Sequence, residues 1–162
     1  MTTTLEPILR KHPFFDGLTD ADYALITGCA KNVRFRKGET LAREGDSADQ
    51  FFLIREGRVS LDFPAPHGGR VRIQTLDAGE VAGYSWLMPP FVWQFDVVAV
   101  TDVRALEMNG GCLRGKCDED PRLGYTLMQR FSQLMADRLA GTRLQLLDLY
   151  GAREESGYSA HE

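Results

Sequence analysis

The segment Arg36-Lys-Gly-Glu-Thr-Leu-Ala-Arg-Glu-Gly-Asp-Ser-Ala-Asp-Gln-Phe-Phe-Leu-Ile-Arg-Glu-Gly-Arg-Val59 decides the fold. Together with Val33 and Phe35 before it, it reads as strand, turn at Lys37-Gly38-Glu39, strand Thr40 to Ala42, turn at Glu44-Gly45-Asp46. Phe51 to Ile54 is then a fully apolar strand ended by Glu56-Gly57. Val59, Leu61 and Phe63 continue in alternation, the period-2 pattern of a strand with one face buried. Pro64 to Gly69 has the composition of a hairpin tip, and Val71 to Leu76 returns from it. Short strands punctuated by glycine every eight to twelve residues or so predict an antiparallel β-roll or jelly roll, the double-stranded β-helix.

Working outward, Val97 to Met108 supplies the last strands, and between them lies Gly79-Glu-Val-Ala-Gly-Tyr-Ser-Trp-Leu-Met-Pro-Pro-Phe-Val-Trp-Gln-Phe-Asp96. Gly83 opens a segment limited to about one helical turn by Pro89 and Pro90. Alternation resumes with Trp93, Phe95, Val97 and Ala99 on one face. Five aromatics (Tyr84, Trp86, Phe91, Trp93, Phe95) crowd this stretch. Two readings fit. One is a ligand pocket whose helix start offers free N–H groups to an anion; the other is a minicore packed under a long loop.

Upstream, residues 1 to 4 are expected to fray, Leu5 to Phe15 is helix-like between Pro7 and Pro13, and Thr19-Asp20-Ala21-Asp22 caps a helix to about Ala30. Downstream, Asp118 to Pro121 starts a long helix. Met128, Phe131, Met135, Leu139, Thr142, Leu146 and Leu149 form one stripe along it, widened by Leu127, Leu134 and Leu147. A small roll cannot cover so much apolar surface, so a homodimer through this helix is expected. The organisation is therefore helices and roll over 5–117, a dimerisation helix over 118–150, and a disordered tail over 151–162.

Composition narrows the function. The 162 residues suit one domain plus an appended element, and a formal net charge of −4 argues against nonspecific nucleic-acid binding. No apolar run reaches the roughly 18 residues that cross a bilayer. Cys29, Cys112 and Cys117 are odd in number and lack metal-type spacing, which fits a reducing cytoplasm. His12, His67 and His161 fall in a lead-in, a hairpin tip and a tail, so the clustered ligands of a cupin-type enzyme are not legible. No Ser/His/Asp arrangement is legible either, and no catalytic residue, metal or cofactor is assigned.

Three segments resemble the cyclic-nucleotide-binding domain of the catabolite-activator (Crp/Fnr) type. They are Arg36 to Val59, Leu76-Asp-Ala-Gly-Glu-Val-Ala-Gly83 at the approach to the phosphate-binding cassette, and Asp120-Pro121 leading into Met135-Ala-Asp-Arg-Leu-Ala-Gly-Thr142. Pro13 to Leu18 is similar to the family's lead-in. The resemblance implies a β-roll, a non-catalytic regulatory role, and a long dimerisation helix. It also implies a glutamate after the cassette glycine for the ribose, and an arginine near the cassette's end for the cyclic phosphate. Tyr84 and Trp93 stand at those places, and no Lys or Arg lies between Arg72 and Arg104. A buried phosphodiester needs paired charge. The expectation is a sensor that does not hold cAMP or cGMP in the usual way. Gly83, Tyr84, Ser85, Trp86, Trp93, Gln94, Phe95 and the helix residue Thr142 would line its pocket. A ligand-free dimeric interaction domain is the alternative. DNA-reading relatives continue into a further helix-turn-helix module, so no DNA binding is expected of this chain alone, and its protein partner is not legible.

Overall fold

The structure is a computed structural model that describes residues 5 to 159, with side chains through 151. Helix α1 (Glu6–Lys11) leads through a 3-10 turn (Pro13–Phe15) into α2 (Asp20–Thr27). Eight strands follow: β1 (Ala30–Phe35), β2 (Thr40–Ala42), β3 (Gln50–Glu56), β4 (Arg58–Pro64), β5 (Arg70–Asp77), β6 (Val81–Ala82), β7 (Asp96–Ala99) and β8 (Val103–Asn109). Helices α3 (Gly110–Glu119) and α4 (Pro121–Ser159) close the chain.

The strands form two four-stranded sheets, ordered β1-β8-β3-β6 and β2-β7-β4-β5, with every pairing antiparallel. First pairs with last, second with seventh, third with sixth and fourth with fifth. The chain is one long hairpin, with its tip at the β4–β5 turn, rolled up on itself. This is the jelly-roll solution to the edge-strand problem, and it is the roll the glycine spacing predicts. Gly57 shows why glycine does the punctuating. Its φ is +92°, and a Cβ there would sit 2.2 Å from the Asp102 carbonyl oxygen, so β3 turns into β4 only without a side chain.

Alternation splits β3 between two layers. Phe52 and Ile54 point into the roll with Val59, Leu61, Leu76, Ala82, Trp93, Phe95, Val97, Ala99 and Ala105. Phe51 and Leu53, also fully buried, pair across the ladder with Met108 and Leu106 on the opposite face.

At the N-terminus, Thr19 caps α2 as predicted, its hydroxyl accepting from the Asp22 N–H at 3.1 Å while Asp22 accepts from the Thr19 N–H. Asp22 is buried and takes a second bond from Arg122 Nη2 at 2.5 Å. Burial alone would raise the Asp22 carboxyl; the Arg122 and Thr19 bonds outweigh it and hold the group below its ordinary value. α2 ends at Thr27, short of the expected Ala30, because Gly28 stops it and β1 begins at Ala30.

Four features differ from the sequence reading. α3 precedes the long helix, capped by the Asn109 side chain, where the reading had only the end of the roll. The chain separates into two compact units at Gly124/Tyr125, inside α4 rather than at its start. α4 is helical through Ser159, past the expected end near Tyr150; residues 1 to 4, 160 to 162 and the side chains of the expected tail lie outside the described residues. Cys29 and Cys112, read separately in the sequence, form a disulfide, brought together because β1 lies beside β8.

Candidate functional site

The segment between β6 and β7 is the irregular part of the roll. Gly83 has φ +105°, and a Cβ there would lie 2.5 Å from Trp93 Cη2 and 3.2 Å from the Phe51 Cβ. The glycine therefore serves two needs, a left-handed backbone and a seat for the Trp93 indole. Trp93 is 2% exposed, with its benzo edge on Gly83, and its Nε1–H is buried without a hydrogen-bond partner. Such a donor costs about 1–3 kcal/mol relative to a satisfied one.

From Trp93 an aromatic chain runs through the roll. Phe35 meets Phe52 at 5.8 Å between ring centroids, Phe52 meets Trp93 at 6.3 Å, and Trp93 meets Phe95 edge-on at 6.0 Å. Phe95 then contacts Phe63 at 5.3 Å and Tyr84 at 6.2 Å. The chain reaches the surface there: Phe63 and Tyr84 are half-buried, and Val71, the cross-strand partner of Phe63, is exposed.

The structure thus brings together four of the expected residues, Gly83, Tyr84, Trp93 and Phe95. Trp93 and Phe95 precede β7 rather than belonging to it, yet they keep the predicted face, buried with Val97 and Ala99. Trp86 goes elsewhere. It stacks on Phe51 at 4.8 Å, on the far side of β3 from Trp93, because Phe51 and Phe52 face opposite ways. Ser85 is buried beside it in the turn. Gln94 is exposed and folds back, its side-chain amide donating to the Val92 carbonyl at 3.0 Å. Thr142 is exposed and donates to the Arg138 carbonyl at 2.9 Å, a bond back onto its own helix.

The helix start expected after Gly83 is a single short turn. The turn Ser85–Leu87 is three residues of 3-10 helix, and the Leu87 and Met88 N–H groups are spent on Tyr84 and Ser85 carbonyls. A turn this short carries little of a helix dipole.

Sequence reasoning missed Arg114. It reaches from α3, donates to the Trp86 carbonyl and lays its guanidinium 4.6 Å from the Phe91 ring centroid. Nothing in the spacing of α3 marks it, because its partner lies in a loop of irregular backbone. Among the described residues there is no His, Cys, Asp and Glu cluster suited to a metal, and no helix long and apolar enough to cross a membrane.

An eight-stranded antiparallel roll with an irregular glycine-opened loop between β6 and β7 and a long C-terminal helix defines the class of fold. The pattern of the cyclic nucleotide-binding domain matches residues 32–120, and the chain belongs to that family. The CRP-like cAMP-activated global transcriptional regulator of Mycobacterium tuberculosis is 26% identical over 90% of the chain; the chain spans 63% of that relative's length. Glutaminase 1 of Bradyrhizobium diazoefficiens is 28% identical over 81% of the chain, a match covering 21% of that enzyme. A Geobacter metallireducens protein assigned as cyclic nucleotide-binding superposes with TM-score 0.75 at 27% identity, covering 86% of this chain and 99% of its own. The Thermus thermophilus catabolite activator protein shares the fold, with TM-score 0.66 at 23% identity, over 85% of this chain and 62% of its own.

Proposed function

We propose that the chain is a regulatory sensor module whose roll takes a small, largely uncharged molecule bearing a hydrogen-bond acceptor, and not a cyclic nucleotide held by charge. The observation that carries this is Trp93. It stands where the family places a phosphate-binding arginine, and its buried Nε1–H has no partner. An acceptor that reached that donor would satisfy it against an apolar floor, the usual make-up of a small-molecule site. Tyr84 replaces the ribose carboxylate, so the two strongest contacts to a cyclic nucleotide are missing together. No catalytic role accompanies this site.

The output is a homodimer built on α4. Leu139, Leu146, Leu147 and Leu149, all on the expected stripe, are more than half exposed, and a two-fold helix pair would cover them. A second reading is favoured by the packing: Trp93 and Phe95 are each 2% exposed, so they fill the roll themselves and the module acts as a ligand-free interaction domain.

Thermal shift on the whole chain, with a panel of neutral heterocycles beside cAMP and cGMP, tests the proposal. It expects at least one neutral compound to raise Tm in the wild type and to lose most of that shift in Trp93→Phe, with neither nucleotide acting. A panel without effect favours the ligand-free reading. Stabilisation by cAMP or cGMP contradicts both.

A further inference from the structure

The Cys29–Cys112 bridge joins the entry of β1 to the first turn of α3, with a Cα–Cα distance of 5.7 Å. The two sulfurs are not equivalent. Cys29 is buried at 5% exposure, whereas Cys112 is half-buried, and both line an open cleft of about 380 Å³ with Lys31, Asp49, Glu107 and Asn109. Cys112 is thus the more exposed residue of the pair.

The far end of the bridge is the loop already described. The Gly110 N–H donates to the Asp49 carbonyl at 2.7 Å, and a Cβ on Gly110 would lie 2.8 Å from the Trp86 Cβ. One turn further, Arg114 holds the Trp86 carbonyl and covers Phe91. Besides the bridge, the start of α3 is tied by Gly110, by the Asn109 cap on the Cys112 N–H at 2.8 Å, and by the Asn109 N–H on the Cys29 carbonyl at 2.8 Å. Opening the bridge removes the covalent tether of four, at the place where α3 touches Trp86. Cys117 stands apart: burial first, then Asp118 and Asp120, push its thiol up, which makes it a slow competitor for exchange.

We propose that Cys29 and Cys112 are a reversible dithiol–disulfide couple, reached through this cleft, that sets the mobility of α3 and of the Trp86–Phe91 loop. A dithiol reductant attacks Cys112 Sγ as thiolate and forms a mixed disulfide, while Cys29 leaves as thiolate and takes a proton. The reductant's second sulfur then displaces Cys112, so two electrons and two protons pass to the protein and the reductant closes its own disulfide. A low-molecular-weight disulfide drives the reverse. Asp49 and Glu107 against Lys31 leave the cleft net negative, so an uncharged dithiol reacts faster than an anionic thiol of equal thiolate concentration.

The test equilibrates the full chain across ratios of reduced to oxidised dithiothreitol, blocks thiols with a maleimide, and follows backbone amide exchange by mass spectrometry. The expected result is that Cys29 and Cys112 gain label together while circular dichroism stays native. Exchange across residues 84–91 should rise roughly tenfold on reduction, as for release of a local tether. Cys29→Ser/Cys112→Ser should exchange like the reduced form in either buffer. Three results overturn the proposal: a bridge cleaved only in denaturant, thiols that stay unpaired under oxidising buffer, or reduction that leaves exchange at 84–91 unchanged.

Discussion

Replacing Trp93 by alanine removes the side chain that closes the roll. The indole touches Gly83, lies 6.3 Å from the Phe52 ring and 6.0 Å from Phe95, and is 2% exposed. A buried tryptophan truncated in such a setting costs about 3–5 kcal/mol, transfer and cavity together. For a chain of this size each kcal/mol lowers Tm by about 2–4 °C, so the melting point should fall by roughly 6–20 °C. Trp93→Phe separates packing from polarity. It keeps most of the contact area but removes the unpaired donor, whose burial costs about 1–3 kcal/mol, so its net loss should stay within about 1.5 kcal/mol. Urea unfolding followed by circular dichroism measures both, with m checked for constancy. A Trp93→Ala loss below about 1 kcal/mol would refute the claim that the indole is structural in the free protein. A Trp93→Phe loss as large as that of alanine would show that Nε1 is well bonded.

Other outcomes follow from the same structure. His12 is buried, its Nδ1 accepts from the Phe14 N–H at 3.3 Å, and so its Nε2–H donates to the Ile54 carbonyl at 3.2 Å. Burial, against backbone bonds to Ile54 and Glu80, lowers its pKa from the ordinary 6.5. The unfolded chain then binds the proton first. The contribution is complete above pH 6.5 and is lost as pH falls below it, and a His12→Gln variant should flatten the urea midpoint between pH 7.5 and 5.5. Asp22→Asn weakens the α2 cap and the Arg122 bond at once and should cost about 1–3 kcal/mol in the same assay; an unchanged midpoint would contradict the reading of that network. The whole chain should scatter light as a dimer of 18.2 kDa subunits at micromolar concentration, and Leu146→Asn/Leu149→Asn should dissociate it. A wild-type monomer counts against the α4 pairing.

The roll was legible because its signal is local and repeated. Gly38, Gly45, Gly57 and Gly79 each take positive φ at a strand end, and alternation around Phe52 and Val59 marks the buried face. The long helix was legible from its acids, Pro121 and apolar stripe. The start of α3 was not, because Gly110-Gly111 carries no helical propensity and only the Asn109 cap and tertiary contacts fix it. The site was half legible. Composition located the aromatics, but which side of β3 each one takes depends on the backbone path through Ser85–Leu87 and Phe91. Phe91 holds φ +55°, outside any period. That path sends Trp86 to Phe51 and Trp93 to Gly83. Phe63 and Arg114 enter from β4 and α3, at sequence distances no pattern connects.

The central claim is that Tyr84 and Trp93 have removed charge-paired cyclic-nucleotide binding from a member of the cyclic nucleotide-binding family. Each charge-assisted hydrogen bond contributes about 1.5–3 kcal/mol, so two missing ones subtract about 3–6 kcal/mol. That is about two to four decades of affinity, which moves a micromolar site towards the millimolar range or beyond. Isothermal titration calorimetry of the full chain with cAMP and with cGMP measures this directly. The account predicts no heat of binding below about 1 mM for either nucleotide, and a Kd under about 10 μM for one of them would contradict it.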